Sequence, residues 1–335
     1  MKPMRLLWLV LLVAVAWGLW WGWGVWTTSR NVHAWLNERR AAGWQAEWSD
    51  ISIQGFPTRI DTTISDLTLA NTEAGWVWST PFLQILGLNY ENNHYVLVSA
   101  DTMTLQTPYE RIEMTGEDLR GSVNFLPGQA RAIDEAVAIF KDLSLVSDAG
   151  WAGTVAETRL AVRPTAGRDG WYDLGVEVSG LTPGSGPLAR LAGMGMAPGT
   201  IERLNADLAL RLDRPLDRTA LEGLTPQPRE IDIRDLGARW GQLDLRVAGD
   251  LTLDAAGQVS GEILVKATNW RDMLELLRES GSVPGAVVSG LESALQIASG
   301  FAGSKKTLDI PVTFRNGRTR IGILPVGPAP VLRLR

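Results

Sequence analysis

Hydrophobic residues follow three patterns along this chain of 335 residues. The first is an unbroken run. Lys2 and Arg5 precede it, residues 6–26 hold no charge, and Arg30 is the next charged position. A helix rising ~1.5 Å per residue needs ~20 apolar residues to cross a hydrocarbon core of ~30 Å. A transmembrane anchor is therefore expected over residues 1–28, with Leu6, Leu12, Trp17, Trp20, Trp21, Trp23 and Trp26 along it. The tryptophans crowd its far end, where amphipathic rings favour the headgroup layer. Basic residues on the near side place the N-terminus in the cytoplasm and the body across the membrane. A cleaved secretory signal is the competing reading, since Ala14-Val15-Ala16 fits a small-x-small cleavage site. Against it, apolar residues continue to Trp26 and a bulky Trp17 would follow the cut.

The second pattern is helical. Trp35 and Leu36 sit among charged residues over 30–42, and Gly43 stands where a helix stop belongs, so a juxtamembrane stem is expected over residues 29–47. From Trp48 onward the period falls to two. Ile51 and Ile53 alternate with polar neighbours, Gly55-Phe56-Pro57 forms a strand corner, and Ile60, Thr62 and Ile64 resume the alternation. Leu67 and Leu69 follow on the opposite parity, which predicts a β-bulge near Ser65–Asp66. Further strands are expected over 76–88, 95–105, 109–114, 119–125, 143–147, 155–162 and 171–178. Ile133, Val137 and Phe140 stand at helical spacing and predict an amphipathic helix over 130–140.

Residues 180–199 are dense in Gly and Pro and read as a hinge with one short helix near 188–192. It would separate β-rich lobe one (48–180) from lobe two (200–335). Lobe two alternates most cleanly. Leu204, Leu208, Leu210 and Leu212, then Leu243, Leu245 and Val247, then Ile263 and Val265 each keep one parity, the mark of antiparallel strands with one apolar face. Asn269 is positioned to cap a helix over 270–279. Pro284 is positioned to open another, with Val287, Val288, Leu291, Leu295 and Ala298 on one side. Asn316-Gly317 predicts a tight hairpin turn. The fold class is therefore mainly β with some helix (α+β): a long curved antiparallel sheet behind an N-terminal membrane helix, with a few packed amphipathic helices and two similar lobes.

Composition narrows the chemistry. The chain has no cysteine, two histidines and a formal net charge of −5. Disulfides and thiol chemistry are excluded, and an acidic body offers no electrostatic footprint for nucleic acid. His33 and His94 stand apart without a metal-ligand spacing. Gly193-Met194-Gly195 begins like a dinucleotide fingerprint but has Pro198 in the third glycine's place, so a connector is the better reading. Asp207, Asp213 and Asp217 belong to a solvated face. No enzyme, cofactor or metal site is expected.

Residues 51–60 (Ile-Ser-Ile-Gln-Gly-Phe-Pro-Thr-Arg-Ile) and 308–317 (Leu-Asp-Ile-Pro-Val-Thr-Phe-Arg-Asn-Gly), followed by Gly322-Ile323-Leu324-Pro325-Val326-Gly327-Pro328-Ala329-Pro330, resemble hallmarks of domain-of-unknown-function family 2125. That group of Gram-negative envelope proteins is itself similar to the wider AsmA-like proteins. The resemblance implies a single-pass inner-membrane anchor and a β-rich periplasmic body linked to lipid movement or envelope integrity. It brings no catalytic residues. The function expected is an anchored β-scaffold that binds or passes lipid, or supports envelope assembly. The alternative is an anchored module that binds an envelope protein. In the first case the apolar face of Leu204–Leu212, Leu243–Val247 and Ile263–Val265 stays partly open as an acyl groove, because three short helices are too few to cover a dozen strands.

Overall fold

In a computed structural model, residues 3–128, 131–193, 198–221, 225–280, 288–290, 292–293, 295–296, 307–322 and 324–333 are described. The anchor and the stem are one helix, α1 (Pro3–Ala41), with no break between them. Ala42 and Gly43 close it with amides bonded to Glu38 O and Arg40 O, and Gly43 takes φ 86°, a conformation glycine adopts without a Cβ penalty. Leu6 to Ala16 are exposed throughout, whereas Trp21, Gly24, Val25, Thr28, Val32, Leu36 and Arg39 form a buried or half-buried stripe three or four residues apart. That stripe lies on a sheet. Leu36 is 0% exposed and packs with Ala46, Ile64, Leu67 and Leu69.

The chain then forms eighteen strands of one antiparallel sheet: β1 (Trp44–Glu47), β2 (Asp50–Gln54), β3 (Arg59–Asn71), β4 (Trp76–Leu88), β5 (Glu91–Ser99), β6 (Thr102–Gln106), β7 (Arg111–Thr115), β8 (Asp118–Phe125), β9 (Ile133–Ser147), β10 (Ala152–Pro164), β11 (Trp171–Ser185), β12 (Ile201–Leu212), β13 (Pro228–Trp240), β14 (Leu243–Leu253), β15 (Val259–Thr268), β16 (Thr307–Arg315), β17 (Arg318–Ile321) and β18 (Leu324–Pro328). Short helices α2 (Pro187–Gly193), α3 (Arg218–Leu221) and α4 (Trp270–Ser280) interrupt it.

The pairing is a meander. β1 and β2 both pair with β3 and form one rank. β5 with β6, and β8 with β7, likewise form one rank each between β4 and β9. From β9 to β18 each strand pairs with its successor. Fifteen ranks spaced ~4.8 Å apart give a sheet about 67 Å long across its strands.

A crease crosses the early ranks. Asp66 in β3 (φ 50°), Asp142 in β9 (φ 50°) and Gly180 in β11 (φ 64°) are left-handed. They lie on one transverse line with Pro81, the β5–β6 and β7–β8 breaks, and Ala156. The parity of the buried residues changes there, from Ile64 to Leu67 and from Phe140 to Leu143. No extra residue is inserted in β3, because Ser65 pairs with Phe82 and Leu67 with Thr80 in unbroken register. The expected bulge at Ser65–Asp66 is thus a flip of the chain opposite a matching flip at Pro81.

Several expectations are corrected. Residues 133–140 are strand, not helix, within β9. Ile133, Val137 and Phe140 fall on alternate faces there, and both faces are apolar, so the spacing imitates a helix. The strands expected over 95–105 and 109–114 are each split or shifted by the crease and the Thr107–Glu110 turn. No hinge interrupts the sheet at 180–199, since β11 and β12 pair directly from Leu181↔Ile201 to Trp171↔Arg211. The two halves therefore share one continuous sheet, and the described part of the Gly/Pro-rich stretch supplies the end of β11, α2 and a bend at Gly199–Thr200. Asn269 begins α4, but through its backbone carbonyl, which accepts from the Asp272 and Met273 amides, while its side chain donates to Gln242 O at 2.7 Å. Pro284, Val287, Leu291 and Ala298 lie outside the described residues. Residues 288–290, 292–293 and 295–296 are helical, with Val288 and Leu295 buried. The Asn316-Gly317 turn has both residues at positive φ, 52° and 71°, as a tight hairpin requires.

The face away from α1 is charged. Glu157–Arg159, Glu177–Arg203 and Arg211–Glu230 pair across it. Asp173 accepts from Arg234 at 2.6 Å and from Thr165 at 2.8 Å. Burial pushes the Asp173 carboxyl up, but these bonds and the Arg234 and Arg163 charges outweigh it and hold it below the ordinary value.

Two outcomes are expected. Leu36→Ala leaves a cavity where α1 meets the sheet and should lower unfolding stability by about 2–5 kcal/mol, measured by denaturant titration of the full chain in detergent. A depressed carboxyl stabilises the fold above its unfolded value of about 3.9, and this stabilisation disappears as pH falls through the folded value. Wild type should accordingly lose melting temperature on acidification below about pH 4. Asp173→Asn should melt lower at neutral pH and show a shallower acid dependence.

Candidate functional site

Cross-strand pairing places one row of side chains on the face that α1 covers. It runs Ile53–Thr62–Ile85–Leu97–Gly121–Ala138–Leu160–Val176–Ala206–Leu236–Val247–Val265–Ile310. Thirteen ranks are crossed without a charged residue. A second row joins Val178, Leu204, Ala238, Leu245, Ala267 and Leu308, and a third Leu174, Leu208, Ile233, Gly249, Ile263 and Val312. Leu204, Leu208, Leu210, Leu212, Leu243, Leu245, Val247, Ile263 and Val265 therefore all stand on one face, as the alternation in the second half predicts. The same face extends through the first half to Ile53, which the sequence reading left out. Its signal was present: Ile64 and Leu67, Phe140 and Leu143, Val178 and Leu181, and Ile201 and Leu204 are each three apart where the strand period is two.

This apolar floor is covered at its ends. At one end α1 lies on β1–β4, with Val32, Trp35 and Leu36 over Ile51, Ile64, Trp78, Leu83 and Ile85. At the other, Trp270, Met273 and Leu274 of α4, together with Leu295, cover Leu245, Ala267, Leu308 and Ile310. Beside them the tail packs Ala329 on Leu251, Leu253, Val259 and Phe314. Between the ends the floor is open. Leu160 and Leu236 are 36% and 42% exposed, and Val162, Leu174, Val176, Val178, Leu204, Ala206 and Leu208 are only half-buried.

The open floor leads to a cavity of about 610 Å³ between α2, α4 and β13–β17. Leu188, Leu191, Leu243, Val265, Trp270, Met273, Leu277 and Ile321 are among its lining residues. Among the described residues no charged side chain lines it, and the volume is that of a small-molecule site. Two indole N–H groups belong to its walls. Trp240 donates to Pro198 O at 2.7 Å. Trp270, 2% exposed, has its N–H buried without an acceptor among the described residues.

The Gly55-Phe56-Pro57 corner is the turn between β2 and β3, with a cis Phe56–Pro57 bond. It touches α1. Trp17 Nε1–H donates to Pro57 O and Trp21 Nε1–H to Arg59 O, each at 2.8 Å, and Phe56 meets the edge of Trp21 at 5.3 Å. A Cβ on Gly24 would stand 2.7 Å from Asn89 Oδ1 and 2.9 Å from Ile60 Cδ1, so the helix approaches the sheet on a residue without a side chain.

The remaining polar candidates are dispersed. His33 bonds Ser29 O on α1 and lies against Trp48. His94 is part of β5, opposite Asn124. Asp207 and Asp213 pair with Arg234 and Arg229, and Asp217 bonds the Thr219 hydroxyl and amide. Among the described residues no three His, Cys, Asp or Glu side chains group together. Gly193 ends α2, and Met194 and Gly195 lie outside the described residues.

No curated protein and no solved structure matches this chain. A family profile does match, over residues 21–330, which takes in the lower part of α1, every rank of the sheet and the turns on both rims. The chain thus belongs to the family described as an uncharacterized protein conserved in bacteria (DUF2125).

Proposed function

We propose that the protein is a membrane-anchored scaffold that holds lipid acyl chains on its apolar floor, with its body in the periplasm. The observation behind this reading is the uncharged row that crosses thirteen ranks and is uncovered in the middle. Exposed apolar area costs about 25 cal/mol per Å², so a contiguous uncovered strip favours an apolar occupant. The open stretch from β5 to β13 is seven ranks, about 29 Å, against ~30 Å for a whole bilayer core and half that for one leaflet. One lipid's chains fit within it, and the apolar cavity under α4 lies at its end. α1 is long and apolar enough to span a bilayer, and Lys2 and Arg5 before its apolar part favour the cytoplasm for that end.

The reading of an envelope-protein partner has weaker support. Strand addition requires a free edge; β18 presents Pro325 and Pro328 at one, which lack the donor a ladder needs, and the other is the β1–β2 rank, strands of only four and five residues.

The test is mass spectrometry of lipid retained by the full chain purified from membranes in mild detergent. Leu236→Glu and Leu160→Glu place a carboxylate on the open floor and should lower retained lipid about tenfold or more, the equivalent of ~1.4 kcal/mol. Leu264→Glu, at a 50% exposed position on the charged face, should leave it unchanged. Equal retention in all three variants, or a lipid-free wild type, would overturn the proposal.

A further inference from the structure

The length of α1 that stands clear of the sheet is too short to cross a membrane. The apolar part begins after Arg5, and only residues 6–16 are exposed all round before Trp17 bonds the Pro57 carbonyl. Eleven residues rise ~16 Å, half of the ~30 Å hydrocarbon core. The rest of the crossing falls on Trp17–Trp26, the stretch that the β2–β3 and β4–β5 turns touch through Pro57, Arg59, Phe56 and Asn89. A bilayer thick enough for the helix therefore reaches the level of these turns.

Their side chains suit that level. Phe56 is 60% exposed and Tyr90 62%, and Trp20 and Trp23 are exposed on the part of α1 that these turns touch. Leu126 at the β8–β9 turn, two ranks further along the same rim, is also exposed. Charge returns just above. Arg59 pairs with Asp61 at 3.1 Å, and Arg30 lies over the Trp26 ring at 5.5 Å. An aromatic band followed by arginine is the arrangement of a headgroup boundary. At the opposite ends of these strands the turns carry Glu73, Glu110 and Asp148.

We infer that the Gly55–Thr58 and Asn89–Tyr90 turns are part of the membrane-bound surface, and that Phe56 and Tyr90 sit in the headgroup layer of the leaflet on the sheet's side. The inference rests on α1 crossing a bilayer, but not on lipid occupying the floor. The strands beside α1 then stand along the membrane normal, and the first ranks of the floor extend along the membrane plane. Acyl chains of that leaflet meet the sheet at its rim.

The chain has no cysteine, so each single-cysteine variant carries one label. Phe56→Cys, Thr58→Cys, Tyr90→Cys and Tyr109→Cys would be labelled with an environment-sensitive fluorophore. The full chain would then be reconstituted in phosphatidylcholine–phosphatidylglycerol vesicles containing lipid with a shallow nitroxide. Labels at 56, 58 and 90 should be quenched several times more than the label at Tyr109, which is exposed on the far rim. Thr58→Cys leaves Phe56 in place and keeps the test decisive if Phe56→Cys misfolds. Quenching at 58 and 90 no stronger than at 109 would overturn the inference, while lipid retained on the floor would be unaffected by that result.

Discussion

A single apolar face can cross thirteen ranks only if the strands agree, rank by rank, about which parity faces inward. In this sheet they agree even where the parity changes. Asp66, Asp142 and Gly180 turn left-handed on one line, and the intervening strands break or flip at the same level. One strand changing alone would direct its leucines into water and its arginines onto the floor. Each misplaced large side chain would cost roughly 1.5–3 kcal/mol, and a handful would exhaust the stability of an ordinary fold. The crease is therefore a collective property of the sheet, and the floor, its two covers and the charged reverse face follow from it.

Helix α1 is long and apolar enough to span a bilayer and also packs on the sheet, with two parts of one surface. Its first turns are apolar all round, which suits lipid. Its later turns narrow to the stripe ending in Leu36 and Arg39 and close the floor at its first ranks. Because the helix is unbroken, any tilt of the anchor is transmitted to the sheet without a linker to absorb it. The indole bonds from Trp17 and Trp21 to the β2–β3 turn fasten the two where the all-round exposure of the helix gives way to its packed stripe.

Much of this was legible in the residues and some was not, for reasons that are physical. The strands with one wet face, such as β12, β14 and β15, announce themselves because Arg, Asp and Glu alternate with Leu and Val. β9 does not, because Val137 and Ile139 leave its second face apolar as well, and period two then dissolves into an apparent helix. Gly and Pro at 180–199 looked like a hinge, yet Gly180 answers a demand for left-handed backbone inside a strand. The candidate floor was half legible: the nine positions of the second half were placed on one face, while the first half was lost at the crease, where a spacing of three looks like a fault in the pattern. The buried Trp270 indole and the cavity it lines depend on α4 folding back over β14 and β16, which no local pattern encodes.

From β9 onward every strand pairs with the next, so this part of the sheet has no long-range wiring to protect. A pair of strands could be inserted or lost between β9 and the cover formed by α4 without reversing either rim, since two strands return the chain to the side from which it left. Length is then a tally that evolution can adjust in steps of roughly 10 Å, and size differences among relatives would measure reach, not rearrangement.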